Sequence, residues 1–65
     1  MKVVIEIDCD NAAFDPCPHI EVSTILSIYA TRLTCELPLD AEPSDWPTRL
    51  LDTNGNTVGK VEVKK

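Results

Sequence analysis

The chain of 65 residues is 43% hydrophobic and 26% charged, a composition typical of one small globular domain and not of a disordered segment. Its formal net charge of −5, from 11 acidic and 6 basic residues, argues against nucleic acid or an anionic membrane surface as its ligand. The same charge permits the reverse relation, in which acidic side chains face a basic protein.

The sequence also indicates a compartment. It contains no apolar run long enough to span a bilayer and no hydrophobic stretch of the kind found in secretory signals. The cysteines, Cys9, Cys17 and Cys35, are odd in number, which indicates free thiols in a reducing environment. We therefore expect a cytoplasmic protein.

Residues 2–8 predict the first β-strand. Val3, Ile5 and Ile7 alternate with mostly polar neighbours, which is the pattern of a strand with one buried face. Residues 8–19 are then expected to form a loop. Phe14, which lies within that loop, is expected to tuck beneath the following helix and close the core.

The stretch from Pro18 to Leu33 predicts an amphipathic α-helix. Pro18 suits the first helical position, and Asp15 and Glu21 place negative charge near the positive end of the helix dipole. The apolar stripe of this helix, with Ala30 on its flank, consists of Val22, Ile25, Leu26, Tyr29 and Leu33.

The opposite side of this helix carries no charge, although a helix that faces only water usually carries more lysine and glutamate. The residues of this uncharged strip are Ile20, Thr24, Ser27, Ile28 and Thr31. The strip has two interpretations. It is a second contact surface or homodimer seam, or another part of the chain covers it.

Residues 35–47 contain three prolines and neither a glycine nor a basic residue, which excludes a helix interior or a central strand. They predict a semi-extended loop. Two strands, at 48–53 and 57–64, follow and are joined through Asn54-Gly55. This dipeptide favours a two-residue type I′ turn, but that turn pairs Arg49 with Lys60, so a bulged turn is an equal alternative. Gly59 indicates a bulge or a point of close packing.

The order of elements predicts an α+β fold of β-α-β-β type, a single domain over residues 1–65. We expect a three-stranded, mainly antiparallel sheet with one helix packed on one face. The strand residues expected in the core are Val3, Ile5, Ile7, Leu50, Val61 and Val63. In a domain this small, conformational entropy leaves a net stability of only a few kcal/mol.

Patterns for metal binding are weak. Three cysteines and His19 are competent zinc ligands, but their spacing matches none of the paired-ligand motifs. Asp8, Asp10 and Asn11 lack the glycine and the final glutamate of a calcium loop. The sequence therefore predicts no metal and no cofactor.

Catalytic patterns are equally weak. Cys17 and His19 lie in one local loop sequence with no oxyanion element nearby. A domain of this size rarely encloses a pocket that shifts carboxylate pKa values. We therefore predict that the protein is not an enzyme.

Acidic residues are the main candidates for partner binding. Four of them fall within loop 35–47, and they are Glu36, Asp40, Glu42 and Asp45. Three more would extend this set if the two loops are neighbours, and they are Asp8, Asp10 and Asp15.

These acids have two interpretations. One is a solvated loop whose charges keep the protein soluble. The other is a set of fixed carboxylates that imitate phosphates and fill a basic groove built for DNA. Trp46, beside the acids, is either a hydrophobic anchor for the partner or a cap on the small core.

Four stretches resemble a group of small orphan proteins of bacteriophages and other mobile elements, of β-α-β-β type. They are residues 2–8, residues 10–14 (Asp-Asn-Ala-Ala-Phe), the helix positions Glu21-Val22 and Ile25-Leu26, and residues 52–63 with Asn54-Gly55 at their turn. The resemblance implies a phage or prophage origin, expression in a bacterial cytoplasm, and action on a host or phage protein. Small acidic anti-CRISPR proteins are a natural class in this group, and several are DNA mimics. Loop 35–47 matches no shared motif, so we expect any specific activity there.

We therefore predict a phage-encoded inhibitory binding protein, an anti-CRISPR that acts as an acidic DNA mimic and blocks target-DNA binding by a Cas surveillance complex. Its binding residues would be the seven acids and Trp46. The expected partner is a basic surface of a host DNA-binding protein, without direct contact to nucleic acid or membrane. We expect a monomer, with a homodimer as the alternative. The second hypothesis is a phage structural or regulatory accessory protein that binds through the uncharged strip.

Overall fold

The computed structural model describes residues 1–64 and shows one helix beside a three-stranded antiparallel sheet. The elements are β1 (Lys2–Ile7), α1 (Pro18–Cys35), β2 (Arg49–Leu51) and β3 (Thr57–Lys64), with single 3₁₀ turns at Ala12–Phe14 and Pro43–Asp45. The predicted β-α-β-β architecture is confirmed. The strand order is β1-β3-β2, so the last strand of the chain is the central one.

Helix α1 begins at Pro18 as predicted and ends at Cys35, slightly beyond the expected Leu33. The backbone N–H of Glu36 caps the last turn by donating to the Arg32 carbonyl at 3.0 Å. Hydroxyl groups along the exposed side donate to carbonyls four residues earlier, as Thr24 does to Ile20 and Thr31 does to Ser27. The two threonine hydroxyls of the uncharged strip are therefore satisfied within the helix.

The core lies between α1 and the sheet. Its buried hydrophobic side chains are Phe14, Ile25, Tyr29, Leu50, Val58 and Val61, with Ile7, Ala13, Val22 and Leu33 packed against them. The placement of Phe14 beneath the helix is confirmed, since it is among the most completely buried side chains. Large aromatic side chains contribute most to a small core, so this residue closes it.

The predicted burial is wrong for three residues. Val3, Ile5 and Leu26 are exposed, at 41%, 44% and 38% of their surface. The helix contacts the sheet at the β2 edge and also packs on the Ala12–Phe14 turn. Strand β1 lies at the other edge of the sheet. The inward face of β1 is consequently left partly uncovered.

The β2–β3 hairpin is confirmed, but its turn is not the type I′ turn that the Asn54-Gly55 pair favours. The backbone N–H of Gly55 donates to the Asp52 carbonyl, and Asp52 N–H donates to the Asn56 carbonyl. Within residues 1–64 a positive φ occurs at Gly55 alone, at 84°. A three-residue bulged turn therefore forms, which is the alternative to the type I′ turn.

A second irregularity lies one step further along the hairpin. Leu50 pairs with Gly59 and Leu51 with Thr57, which leaves Val58 without a partner on β2 and lets its side chain join the core. This shift restores the pairing of Arg49 with Lys60. Gly59 packs so closely against the Glu6 carbonyl that a Cβ would collide with it, which confirms close packing at this glycine.

The hydrogen bonds of the loops show which of them share an end of the molecule. The Asn11 side chain donates to the Asp52 carboxylate at 2.7 Å, and Thr53 N–H donates to Glu21 at 2.9 Å. The loop between β1 and α1 (residues 8–17, called the first loop below) and the hairpin turn therefore meet at the N-terminal end of α1. The segment after the helix begins at the other end, and 18 helical residues span about 27 Å.

Candidate functional site

The acidic segment, residues 36–47, has a defined backbone although it contains no strand or long helix. The N–H of Ala41 donates to the Pro38 carbonyl and closes a turn. In the 3₁₀ turn that follows, Glu42 N–H donates to the Asp45 carboxylate at 3.1 Å, and Asp45 N–H donates to the Glu42 carbonyl at 2.8 Å. These reciprocal bonds fix two of the predicted binding residues relative to each other.

The end of the acidic segment is anchored to the core. The Tyr29 hydroxyl on α1 donates to the Pro47 carbonyl at 2.9 Å. Trp46 is half-buried and lines a shallow cleft with Pro43, Pro47 and the β3 residues Val61 and Val63. Prolines within the segment further reduce the entropy of its unfolded state. Trp46 thus lies where a cap on the core would lie.

The four carboxylates of the acidic segment are all exposed, and they differ in their pairing. Glu36 forms an ion pair with Arg32 one helical turn earlier, at 3.7 Å, and such exposed pairs contribute little. Asp40, Glu42 and Asp45 have no basic group of residues 1–64 within the 4.0 Å of a salt bridge. Three unneutralised carboxylates therefore project from one anchored segment.

The acids of the first loop do not join this set. Asp8, Asp10 and Asp15 are exposed at the N-terminal end of α1, and the length of the helix separates them from the acidic segment. Asp10 N–H donates to the Asp8 carboxylate at 3.2 Å. A side-chain hydrogen bond with Asp8 and the repulsion of its charge raise the pKa of Asp10. The condition under which the two sets would form one array is therefore not met, because the loops that carry them lie at opposite ends of α1.

The sequence reasoning did not single out Asp52, which is a buried carboxylate and organises the hairpin turn. One carboxylate oxygen accepts hydrogen bonds from the backbone N–H groups of Asn54 and Asn56, and the other accepts a hydrogen bond from the Asn11 side-chain amide. Burial raises the pKa of Asp52, but these hydrogen bonds outweigh it and hold the pKa below 3.8. The signal was present, since Asp followed two residues later by Asn is a common side-chain-to-backbone turn.

Most of the positive charge lies on the outer face of the sheet, away from the helix. The pairing register places on this face Lys2, Arg49, Lys60 and Lys64, together with Glu6 and Glu62. Lys60 and Glu62 form an ion pair at 2.9 Å, which raises the pKa of the lysine and lowers that of the glutamate. The basic side chains are thus concentrated on the sheet and not within the acidic segment.

Three further features of residues 1–64 concern the thiols, groups of metal-binding side chains and membrane spans. The thiols of Cys9, Cys17 and Cys35 are free and exposed. Within residues 1–64, no group of three His, Cys, Asp or Glu side chains converges as metal ligands would. No helix in this part of the chain has the length and apolarity needed to cross a membrane.

A comparison with protein-family models gives no match, and comparisons with curated proteins and with solved structures give no significant match. The resemblance to small phage proteins therefore stays a prediction.

Proposed function

We propose that this chain is a non-catalytic inhibitory binding protein, a phage-encoded anti-CRISPR that occupies the DNA-binding groove of a Cas surveillance complex in the bacterial cytoplasm. One observation supports this most strongly. Asp40, Glu42 and Asp45 are exposed and unneutralised on a segment that Tyr29 and Trp46 hold against the core. In this proposal their carboxylates take the positions that DNA phosphates occupy in the groove.

The hydrogen-bonded turns of the segment and its anchor at Pro47 favour this role over that of a merely solubilising loop. A preorganised acidic loop loses less conformational entropy on binding than a flexible one. An unpaired carboxylate also has no internal salt bridge to break before it meets an arginine or lysine of the partner. Both effects favour tight and fast association with a cationic groove.

In this proposal the acidic segment is the primary contact and the first loop has a smaller role. Asp8, Asp10 and Asp15 would touch the same partner only in a groove extending about 27 Å along the protein. Glu36 already has a partner in Arg32 and contributes less than the other three acids. The contact proposed here is therefore centred on residues 40–45.

The experiment is inhibition of DNA binding. Purified Cas surveillance complexes of several subtypes are mixed with labelled target DNA, and bound DNA is measured as the protein is added at low and high salt. We expect at least one complex to lose DNA binding, with an apparent affinity for the inhibitor that falls steeply as salt rises. The protein alone should leave the DNA unbound. Unaffected DNA binding in every complex would reject the anti-CRISPR assignment.

A second candidate is supported by the helix. Ile20 and Ile28 on the uncharged strip are 58% and 55% exposed, and Ile28 lines a groove between α1 and β2 with Leu51. This favours an accessory protein of a phage that binds another protein through the strip. An interaction of this kind would be lost in Ile28→Glu and would change little with salt, the reverse of the behaviour expected for the acidic segment.

A further inference from the structure

We propose that the outer edge of β1 is a self-association surface, which pairs antiparallel with β1 of a second copy of this chain around a twofold axis at Val4. This inference is independent of the proposed function, because it uses neither the acidic segment nor the uncharged strip. In the strand order β1-β3-β2, β1 is an edge, and among residues 1–64 no strand pairs with its outer side. Its unpaired backbone groups are a template for another strand.

The two edges of the sheet differ in how well they are protected. β2 has three residues, follows Pro47 and is interrupted by the register shift after Leu50. Short length, a nearby proline and a bulge all discourage the addition of a strand. β1 has six residues, no proline and an unbroken register with β3. Only β1 offers a continuous edge to a partner.

The orientation of the backbone groups limits which residues can pair. Asp8 N–H donates to the Val58 carbonyl across the β1–β3 ladder at 2.7 Å. Because hydrogen-bonded and non-bonded positions alternate in an antiparallel ladder, Val3, Ile5 and Ile7 direct their N–H and C=O groups to the open edge. A second β1 can therefore pair only with odd residues opposite odd residues.

One register that meets this condition is also self-complementary in charge. When Val4 lies opposite Val4 of the second copy, Lys2 lies opposite Glu6 of that copy, and symmetry repeats the pair. Val3 then lies opposite Ile5 as a hydrogen-bonded pair. The side chains of both residues are already more than 40% exposed in the single chain. The four of them would form one continuous apolar surface across the axis.

Neighbouring registers are less favourable. A shift of one residue places odd residues opposite even ones, and the outward backbone groups no longer match. Centring the axis on Val3 sets Lys2 opposite Val4 and loses the ion pairs. Centring it on Ile5 sets Lys2 opposite Asp8, which lies beyond the end of the strand. The register centred on Val4 is the one that keeps both ion pairs inside β1.

The most specific test is a pair of charge reversals. Lys2→Glu places glutamate opposite glutamate in its own dimer, and Glu6→Lys places lysine opposite lysine. We expect sedimentation to show that each variant alone dimerises about tenfold more weakly than the parent chain, whereas an equimolar mixture regains the parental affinity as a heterodimer. If each variant alone dimerises as tightly as the equimolar mixture of the two, the proposed register is wrong.

Glu6→Lys also meets Lys60 within its own sheet, so a second variant avoids the risk that it does not fold. Ile5→Pro removes an N–H that points outward and leaves the β1–β3 hydrogen bonds in place. We expect this variant to keep the parental circular dichroism spectrum and to be monomeric. Ile28→Glu is the matched control and should dimerise like the parent chain. A dimer that Ile28→Glu dissociates and Ile5→Pro does not would overturn the proposal.

Amide hydrogen exchange distinguishes dimerisation from a change in stability, because only dimerisation makes the protection of particular N–H groups depend on protein concentration. In the proposed dimer the N–H groups of Val3 and Ile5 become protected as concentration rises, while Val4 and Glu6 are protected at every concentration. Fast exchange at Val3 and Ile5 throughout, or a chain that stays monomeric at the highest concentration, would exclude pairing through β1.

Discussion

The Glu21 carboxylate accepts a hydrogen bond at 2.9 Å from the backbone N–H of Thr53, which lies 32 residues later in the chain. Glu21 is in the first turn of α1, where the helix dipole favours negative charge, and it is only 7% exposed. The contact ties the beginning of the helix to the hairpin turn. A buried carboxylate therefore links two parts of the fold that are distant in the sequence.

Replacing Glu21 should be costly for so small a domain. Glu21→Ala leaves the Thr53 N–H without its acceptor, and we expect the free energy of unfolding to fall by about 1.5–3 kcal/mol. Glu21→Gln keeps an acceptor oxygen and should lose less. Urea denaturation measures both. The control is Glu36→Ala at the exposed end of the helix, which should change stability by less than about 0.5 kcal/mol. Equal losses for Glu21→Ala and the control would contradict this role.

Asp52 makes stability depend on pH. Its pKa in the folded chain lies below the ordinary 3.8, so its contribution is complete above about pH 4 and is lost as the pH falls through the folded-state pKa. Asp52→Asn cannot accept the same set of N–H bonds, and we expect Tm to drop by about 5 °C or more at neutral pH. Thermal melts from neutral to strongly acidic pH measure this difference.

The Tm difference between the parent chain and Asp52→Asn should shrink in acid, because protonation removes the same interactions from the parent. Asp10→Asn is the matched control, since it removes a carboxylate whose pKa is raised, and it should not lower Tm at neutral pH. A Tm difference that stays constant over the whole pH range would show that ionisation of Asp52 is irrelevant to the hairpin.

Truncation of Phe14 should lower the free energy of unfolding more than truncation of any other side chain named here. Phe14→Ala removes about 3–5 kcal/mol, which matches or exceeds the few kcal/mol expected for the whole domain. We expect this variant to be unfolded at room temperature, with a collapsed dispersion of amide shifts in its NMR spectrum. Leu39→Ala, at a fully exposed leucine of the acidic segment, is the control and should keep the parental spectrum. A folded Phe14→Ala would mean that the core is centred elsewhere.

Gly59 and Gly55 should tolerate substitution differently. A Cβ at residue 59 would collide with the Glu6 carbonyl, so Gly59→Ala must push β1 away from β3 and should destabilise the chain by about 1–3 kcal/mol. Gly55 has open space around it and a positive φ, so Gly55→Asn should cost less, because asparagine adopts this conformation readily. Chemical denaturation ranks the two variants. A larger loss in Gly55→Asn would contradict the close approach of the strands.

Local patterns were enough to predict the elements of this fold, because each leaves a period in the sequence. The alternation of Val3, Ile5 and Ile7 marks β1, and the positions of Ile25 and Tyr29 mark the buried side of α1. Which residues become buried also depends on where the helix lies across the sheet. That placement is a tertiary property, and it leaves Val3 and Ile5 exposed although their pattern is that of an inward face.

The candidate site shows the same division between local and tertiary information. The exposure of Asp40, Glu42 and Asp45 is predictable, because prolines exclude a regular element there and charged side chains in a loop stay in water. Their separation from Asp8 and Asp10 is a tertiary property, because a loop of about a dozen residues is long enough to run back along the helix and its path does not follow from the sequence. The turn bonds of Asp52 have a local signal, but its contact with Asn11 and the contact of Glu21 with Thr53 join residues distant in the chain, which no local pattern specifies.

Two multiple variants distinguish inhibition by the acidic segment from inhibition by the first loop. The first variant neutralises the acidic segment and combines Glu36→Gln, Asp40→Asn, Glu42→Gln and Asp45→Asn. The matched control neutralises the first loop and combines Asp8→Asn, Asp10→Asn and Asp15→Asn. Both keep side chains of nearly unchanged size, and the amide oxygens can still accept hydrogen bonds.

The measured quantity is the concentration of each variant that halves target-DNA binding by a Cas surveillance complex that the parent chain inhibits. We expect the acidic-segment variant to require about a hundredfold more protein, which corresponds to the loss of two to three charge-assisted contacts, while the first-loop variant stays close to the parent. Full inhibition by the acidic-segment variant would contradict the account.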